Sequence, residues 1–216
     1  ANMKSDYEYH LLGMMGDKIG EGIPVFTGLP KVITPEALRN LGAQLNTSGA
    51  YGMYHILGFT PEAPTLEVAF GGKKPEREVV ITDKDLRDFE EKFSDELPNG
   101  GKIDFAMFGC PHFTLEEAKY IAEHVEGKKL SVPMYILVSS HALQMAERMG
   151  IYDTLAAAGA ELISDSCPDQ PCWHYLKGKT GITESPKCAY PRRRGINFVI
   201  RDLDTCIEAA LTGEVK

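Results

Sequence analysis

Short apolar runs alternate along this chain with segments whose apolar residues recur at helical spacing. Ile23–Phe26, Tyr51–Leu57, Glu78–Ile81, Ile103–Phe108, Met134–Val138, Glu161–Ile163 and Ile196–Ile200 read as strands. Several are nearly all apolar, as strands buried on both faces of a parallel sheet must be. The helices between them have legible starts. Thr34, with Pro35 at the first helical position, opens a helix over Pro35–Leu45. Thr82 or Asp83 caps another that runs to about Phe93. Thr114 and Glu117 have the spacing of a capping box. Ser139 or Ser140 caps a segment that ends near Gly150, and Asp202 starts a last helix to about Leu211. This alternation predicts an α/β fold: an open, mostly parallel, doubly wound sheet with helices on both faces. One domain over residues 1–216 is expected, with Ala1-Asn2 before Met3 read as a cloning remnant.

Composition narrows the setting. With 43% hydrophobic and 25% charged residues, the chain has the make-up of a soluble globular protein. No run approaches the roughly 20 apolar residues that cross a bilayer; Val132–Val138 is too short and contains Pro133. The first residues hold no basic-then-apolar leader, so a cytoplasmic location is expected and a membrane is not. Net charge is −8, and the one basic cluster is Arg192, Arg193 and Arg194. Nucleic acid needs a wider spread of cations, so no nucleic-acid partner is expected; three arginines suit a small anion. Five cysteines in such a chain read as reduced thiols rather than a disulfide framework.

In an open parallel sheet, ligands sit beyond the carboxyl ends of the strands. Two cysteines follow strands there. Gly109-Cys110-Pro111-His112 succeeds Ile103–Phe108 and precedes the helix that Thr114 caps. That helix start is expected to favour a thiolate at Cys110. Asp165-Ser166-Cys167-Pro168 succeeds Glu161–Ile163 in the same sense. Each Cys-Pro step favours an extended cysteine backbone. If the two converge, soft thiolates suit zinc or an iron–sulfur cluster; if they do not, they are structural thiols. Cys172 and Cys188 are candidates for a third ligand or unligated thiols, and Cys206 reads as a packed helix thiol. The segment Lys177–Arg194 reads as a loop, either solvated or holding a carboxylate or phosphate through Ser185, Lys187 and the arginines. His55 suits a structural role in a strand, whereas His112 beside a cysteine is placed for acid–base work or for bonding a cluster.

These segments together resemble the aconitase X family. The likeness begins at Thr47-Ser48-Gly49-Ala50 and continues through Met53-Tyr54-His55-Ile56 and Gly58-Phe59-Thr60-Pro61-Glu62-Ala63. It resumes at Gly109-Cys110-Pro111-His112, at Asp165-Ser166-Cys167, and at Thr183, Ser185, Lys187 and Ala189. The resemblance implies an aconitase-like fold and a hydro-lyase that dehydrates a small hydroxy acid, phosphomevalonate and cis-3-hydroxyproline being family substrates. It implies a 4Fe–4S or 2Fe–2S cluster, absent from a chain purified in air, with Cys110 and Cys167 as ligands and Cys172 or Cys188 as candidate third. Ser185, Lys187 and His112 are the catalytic candidates; Thr47, Ser48, Arg192, Arg193 and Arg194 are the candidates for binding substrate. The implied partners are a small swivelling-domain subunit and the N-terminal half of the family's large subunit. That half has no counterpart in these residues, so the chain reads as a fragment, a split subunit or a diverged stand-alone protein. Tyr190 and Pro191 depart from the family's His and Tyr, and Cys188 is an added thiol. Two rival expectations stand beside the enzyme: a cluster-free anion-binding or regulatory subunit, and a structural zinc site of Cys167, Cys172, Cys188 and a histidine.

Overall fold

The computed structural model describes residues 1–95, 97, 100–189 and 194–215. They divide into two compact units, Ala1–Glu91 and Lys92–Lys216.

The first unit contains α1 (Tyr7–Gly13), α2 (Gly16–Ile19), β1 (Val25–Phe26), α3 (Pro35–Gly49), β2 (His55–Ile56), α4 (Leu66–Ala69) and the start of α5 (Asp83–Phe93). β1 and β2 pair in parallel, Val25 with His55 and Phe26 with Ile56. Helix α3 starts as expected: the Thr34 hydroxyl accepts from Ala37 N at 3.0 Å, with Pro35 next in line. It runs four residues past the expected end at Leu45. Thr47 donates its hydroxyl back to the Ala43 carbonyl (2.9 Å), which keeps a polar residue inside the helix. Glu78–Ile81 is not a strand: Val80 is 77% exposed and the segment pairs with no strand among the described residues. Its β-branched residues favour an extended chain, but they find no neighbouring strand.

Between α1 and α3 lies a buried polar pair, with His10 Nδ1 and Gln44 Nε2 2.9 Å apart. Burial, helped by the charge of Arg39, pulls the His10 pKa down to about 3.

The second unit contains β3 (Phe105–Phe113), α6 (Leu115–Val125), β4 (Met134–Val138), α7 (Ser140–Arg148), α8 (Ile151–Ala158) and β5 (Ala160–Ser164). A 3-10 turn (Pro171–Leu176), β6 (Thr180–Thr183), β7 (Asn197–Ile200) and α9 (Leu203–Thr212) complete it. The five strands form one parallel sheet in the order β5-β4-β3-β6-β7. The α/β fold and the parallel pairing are as expected, with the strands shared between two sheets. Thr114 and Glu117 make the full capping box on α6, and Ser139 and Asp202 cap α7 and α9. Phe108, Ile136 and Ile182 share a core with Ile121 of α6, Leu155 of α8 and Ile207 of α9. On the other face Phe105 meets Phe198 edge-on at 5.5 Å, and Trp173 meets Tyr135 at 5.1 Å.

Strand β6 lies where a loop was expected. Thr-Gly-Ile-Thr has one large apolar residue, so its pattern is weak. Gly181 is there because the Phe105 ring fills the space: an added Cβ would come within 2.3 Å of it. The open edge of β7 is closed by Asp95 and Ser94, whose side chains accept from Phe198 N (2.8 Å) and Ile200 N (3.0 Å).

The buried imidazole makes a stability prediction. As pH falls from about 6.5 towards 3, the unfolded chain takes up a proton that folded His10 refuses, so stability falls with acidification. Between pH 6.5 and 4.5, before carboxylates titrate, urea unfolding of the first unit should weaken by up to about 1.4 kcal/mol per pH unit. His10→Gln should flatten that slope.

Candidate functional site

From β3 the chain moves outward through β4 and β5, then returns to place β6 on the other side of β3 and β7 beyond it. The crevice of this sheet therefore opens between the carboxyl ends of β3 and β6. At the end of β3 the ladder breaks. Phe108 pairs with Ile136 and Phe113 with Val138, so five steps along β3 answer two along β4 and three residues have no counterpart. The excess bows out as Gly109-Cys110-Pro111-His112, with the Cys110–Pro111 peptide cis. Gly109 has φ +92, and a Cβ there would lie 2.1 Å from the Leu137 carbonyl oxygen. Only glycine lets the chain leave the sheet at this point.

Across the crevice, the end of β6 continues into Glu184-Ser185-Pro186-Lys187. The Ser185 hydroxyl donates to the Cys110 carbonyl at 2.6 Å. Lys187 is near enough for its charge to act on the Cys110 thiol. Ser185 thus joins the loop that carries Cys110.

The loop after β5 is brought to the same place. Asp165, at φ +52, accepts from Ser140 N (3.1 Å) through its carboxylate. The Ser166 carbonyl accepts from His112 Nε2 at 2.7 Å, and the Cys167 carbonyl from Trp173 Nε1 at 3.0 Å. A carbonyl only accepts, so His112 carries a proton on Nε2. Cys167 is exposed, and the hydrogen bond from His112 to the Ser166 carbonyl brings its loop to the loop of Cys110.

The expected Cys110 thiolate is not found. Burial pushes this thiol up to about 12; Lys187 opposes the rise, and Cys167, Glu184 and Asp169 add to it. Desolvation outweighs the nearby helix start. Cys188 is buried, with its thiol on the Met107 carbonyl (3.5 Å); Cys172 is exposed in the 3-10 turn; Cys206 is buried in α9. Among the described residues no group of three or more His, Cys, Asp or Glu is placed to hold a metal ion, and the four-ligand zinc set is therefore not assembled. Two thiols from facing loops fit the chemistry of a cluster, while the described residues supply only part of a ligand set.

Other candidates lie elsewhere. Thr47 and Ser48 are in the first unit, with their hydroxyls on the Ala43 and Gly13 carbonyls (2.9 and 2.7 Å). Arg194 Nε lies 3.1 Å from Asp169 Oδ1, two residues beyond Cys167. Arg192 and Arg193, with Tyr190 and Pro191, fall outside the described residues. A cleft of about 800 Å3 in the first unit is lined by Lys73, Lys74 and Arg77 among others but by no thiol.

Two residues of the crevice were not anticipated. Glu184 is 4% exposed, takes the Thr183 hydroxyl at 3.3 Å, and raises the Cys110, Cys188 and Cys206 thiols. An acidic residue beside Ser185 was the available signal. Trp173 is also 4% exposed; as the only tryptophan, six residues after Cys167, it gave a signal by composition alone.

Comparison with known proteins identifies both units. Residues 1–91 match the profile of the aconitase X second domain, and residues 103–212 that of the aconitase X third domain. The cis-3-hydroxy-L-proline dehydratase of Pseudomonas aeruginosa is 34% identical over 96% of this chain and 37% of its own length. The phosphomevalonate dehydratase large subunit of Thermococcus kodakarensis is 31% identical over 97% of this chain and 53% of its own. The crystal structure of Thermococcus kodakaraensis aconitase X in its holo-form superposes with a TM-score of 0.83 at 30% identity, covering 97% of this chain and 53% of that one. The chain thus spans between about a third and a half of these relatives.

Gly109→Ala should destabilise the second unit by roughly 2–4 kcal/mol, because the new methyl meets backbone on β4. Ser185→Ala should cost less, about 1–2 kcal/mol, for the hydroxyl's bonds to the Cys110 carbonyl and from Cys188 N. Denaturant unfolding of both variants checks the ranking.

Proposed function

Because this chain belongs to the aconitase X family, we propose that it forms part of a hydro-lyase that removes water from a small hydroxy acid. The observation that carries the reading is the meeting of the Cys110 and Cys167 loops beside Ser185 and Lys187 at the sheet crevice. Cys110 and Cys167 would hold an iron–sulfur cluster, with Cys172 or a residue supplied from outside these units as a further ligand. When bound, such a cluster offers an open iron as Lewis acid to the departing hydroxyl.

The chain's own residues do the rest. Lys187 and Arg194 hold the substrate's anionic groups, joined by Arg192 and Arg193. Ser185, its hydroxyl proton passed to water and the alkoxide charge steadied by the Lys187 cation, takes the proton α to the carboxylate. The electron pair of that C–H bond forms the double bond as hydroxide leaves the neighbouring carbon. Before this can occur, Ser185 must release the Cys110 carbonyl, its partner at 2.6 Å. His112, with Nε2 on the Ser166 carbonyl, orders the cysteine loops and offers Nδ1 to the site.

A remaining large-subunit half and a small swivelling subunit are the proposed partners, and the cytoplasm the proposed location. Among the described residues no helix is long and apolar enough to cross a membrane. The incomplete ligand set favours one second reading, a cluster-free module that binds an organic acid. Calorimetric binding of such an acid to metal-free protein, with no turnover when partners are supplied, would support it.

Anaerobic reconstitution with iron and sulfide separates the two. The hydro-lyase reading expects visible absorbance and bound iron, both lost in Cys110→Ala and Cys167→Ala and kept in Cys206→Ala. Absorbance indifferent to Cys110 and Cys167 would overturn it.

A further inference from the structure

We infer that Trp173 is a positioning residue for Cys167, fixing the direction of that thiol before any ligand arrives. The inference rests on the reading of Cys167 as a ligand and goes beyond it in naming what aims the side chain.

Peptide groups are planar, so a residue's backbone direction is set once the planes on both sides of its Cα are held. At Cys167 both planes are held by side chains. The preceding plane carries the Ser166 carbonyl, which takes the His112 Nε2 proton at 2.7 Å. The following plane carries the Cys167 carbonyl, which takes the Trp173 indole proton at 3.0 Å and Gln170 N at 3.1 Å. His112 extends from β3. Trp173 is anchored on β4, its ring edge-on to Tyr135 at 5.1 Å and 62°, and only 4% exposed. The two planes that flank Cys167 are thus fixed from two adjacent strands of the rigid sheet, which leaves one torsion to aim the thiol. Cys167 itself is exposed and sits in a loop, where such order is otherwise scarce. A site that binds a metal or cluster needs its ligands held in this way.

Trp173→Phe keeps the ring against Tyr135 and removes the proton. In the metal-free chain, amide hydrogen exchange across residues 165–170 should quicken by about fivefold, the loss of one ordinary hydrogen bond, with exchange in β3 and β4 unchanged. His112→Ala frees the other plane, leaves the indole untouched and should quicken the same amides. Trp173→Leu, which also lacks the indole proton, keeps the test decisive should the Trp173→Phe chain fail to fold. In reconstituted protein, Trp173→Phe should lose iron to a chelator several times faster than the unsubstituted chain. Unchanged exchange in the folded Trp173 variant, or unchanged iron loss beside clear iron binding by the parent, would overturn the inference and reduce Trp173 to packing. If the parent binds no iron at all, the hydro-lyase reading fails, while the exchange data still decide whether Trp173 orders Cys167.

Discussion

The hydrogen bond from His112 Nε2 to the Ser166 carbonyl joins two loops that the sheet order holds one strand apart. β4 lies between the strands that carry them, so the loops meet only because β3 bows outward after Phe108 and its imidazole reaches across. That reach depends in turn on Gly109, which has no Cβ to strike the Leu137 carbonyl. This one link brings the Cys167 loop to the Cys110 loop, whose carbonyl at Cys110 takes the Ser185 hydroxyl proton. The same crevice is where the strand order reverses, so topology and hydrogen bonding select one place.

Electrostatics give this place a definite resting state. Burial keeps the Cys110 proton on sulfur, and Glu184 and Asp169 reinforce it, while Lys187 pulls the other way. A soft metal that takes this thiol must displace the proton, and the lysine beside it stabilises the charge that results. The serine and the tryptophan of the site spend their protons on carbonyls of the cysteine loops, so much of the polar chemistry here serves to shape the backbone.

Parts of this arrangement were open to reading in the amino-acid pattern. The apolar runs ending at Phe108, Val138 and Ile163 announced three adjacent strands, and the Cys-Pro steps after two of them marked the rim. The capping residues Thr34, Thr114, Ser139 and Asp202 acted as expected, because a cap is a local interaction between a side chain and a nearby amide. β6 stayed hidden since Gly181 answers a ring from β3, a partner far along the chain that no local pattern reveals. The Cys110 thiolate was misjudged for a related reason: the helix start is visible in sequence, but the depth of burial is not. Trp173 and Glu184 escaped because their roles rest on tertiary contacts, with Tyr135 and Cys167 for one and the buried thiols for the other.

The ring nitrogens of His112 test the central link most directly. Long-range proton–nitrogen correlation spectra of the labelled chain at neutral pH report which nitrogen holds the proton and how fast it leaves. The account predicts a fixed Nε2–H tautomer whose proton is protected from exchange with water. Averaged nitrogen shifts, or a proton on Nδ1 with none on Nε2, would mean that the imidazole does not hold the Ser166 carbonyl and that the two cysteine loops are not clasped.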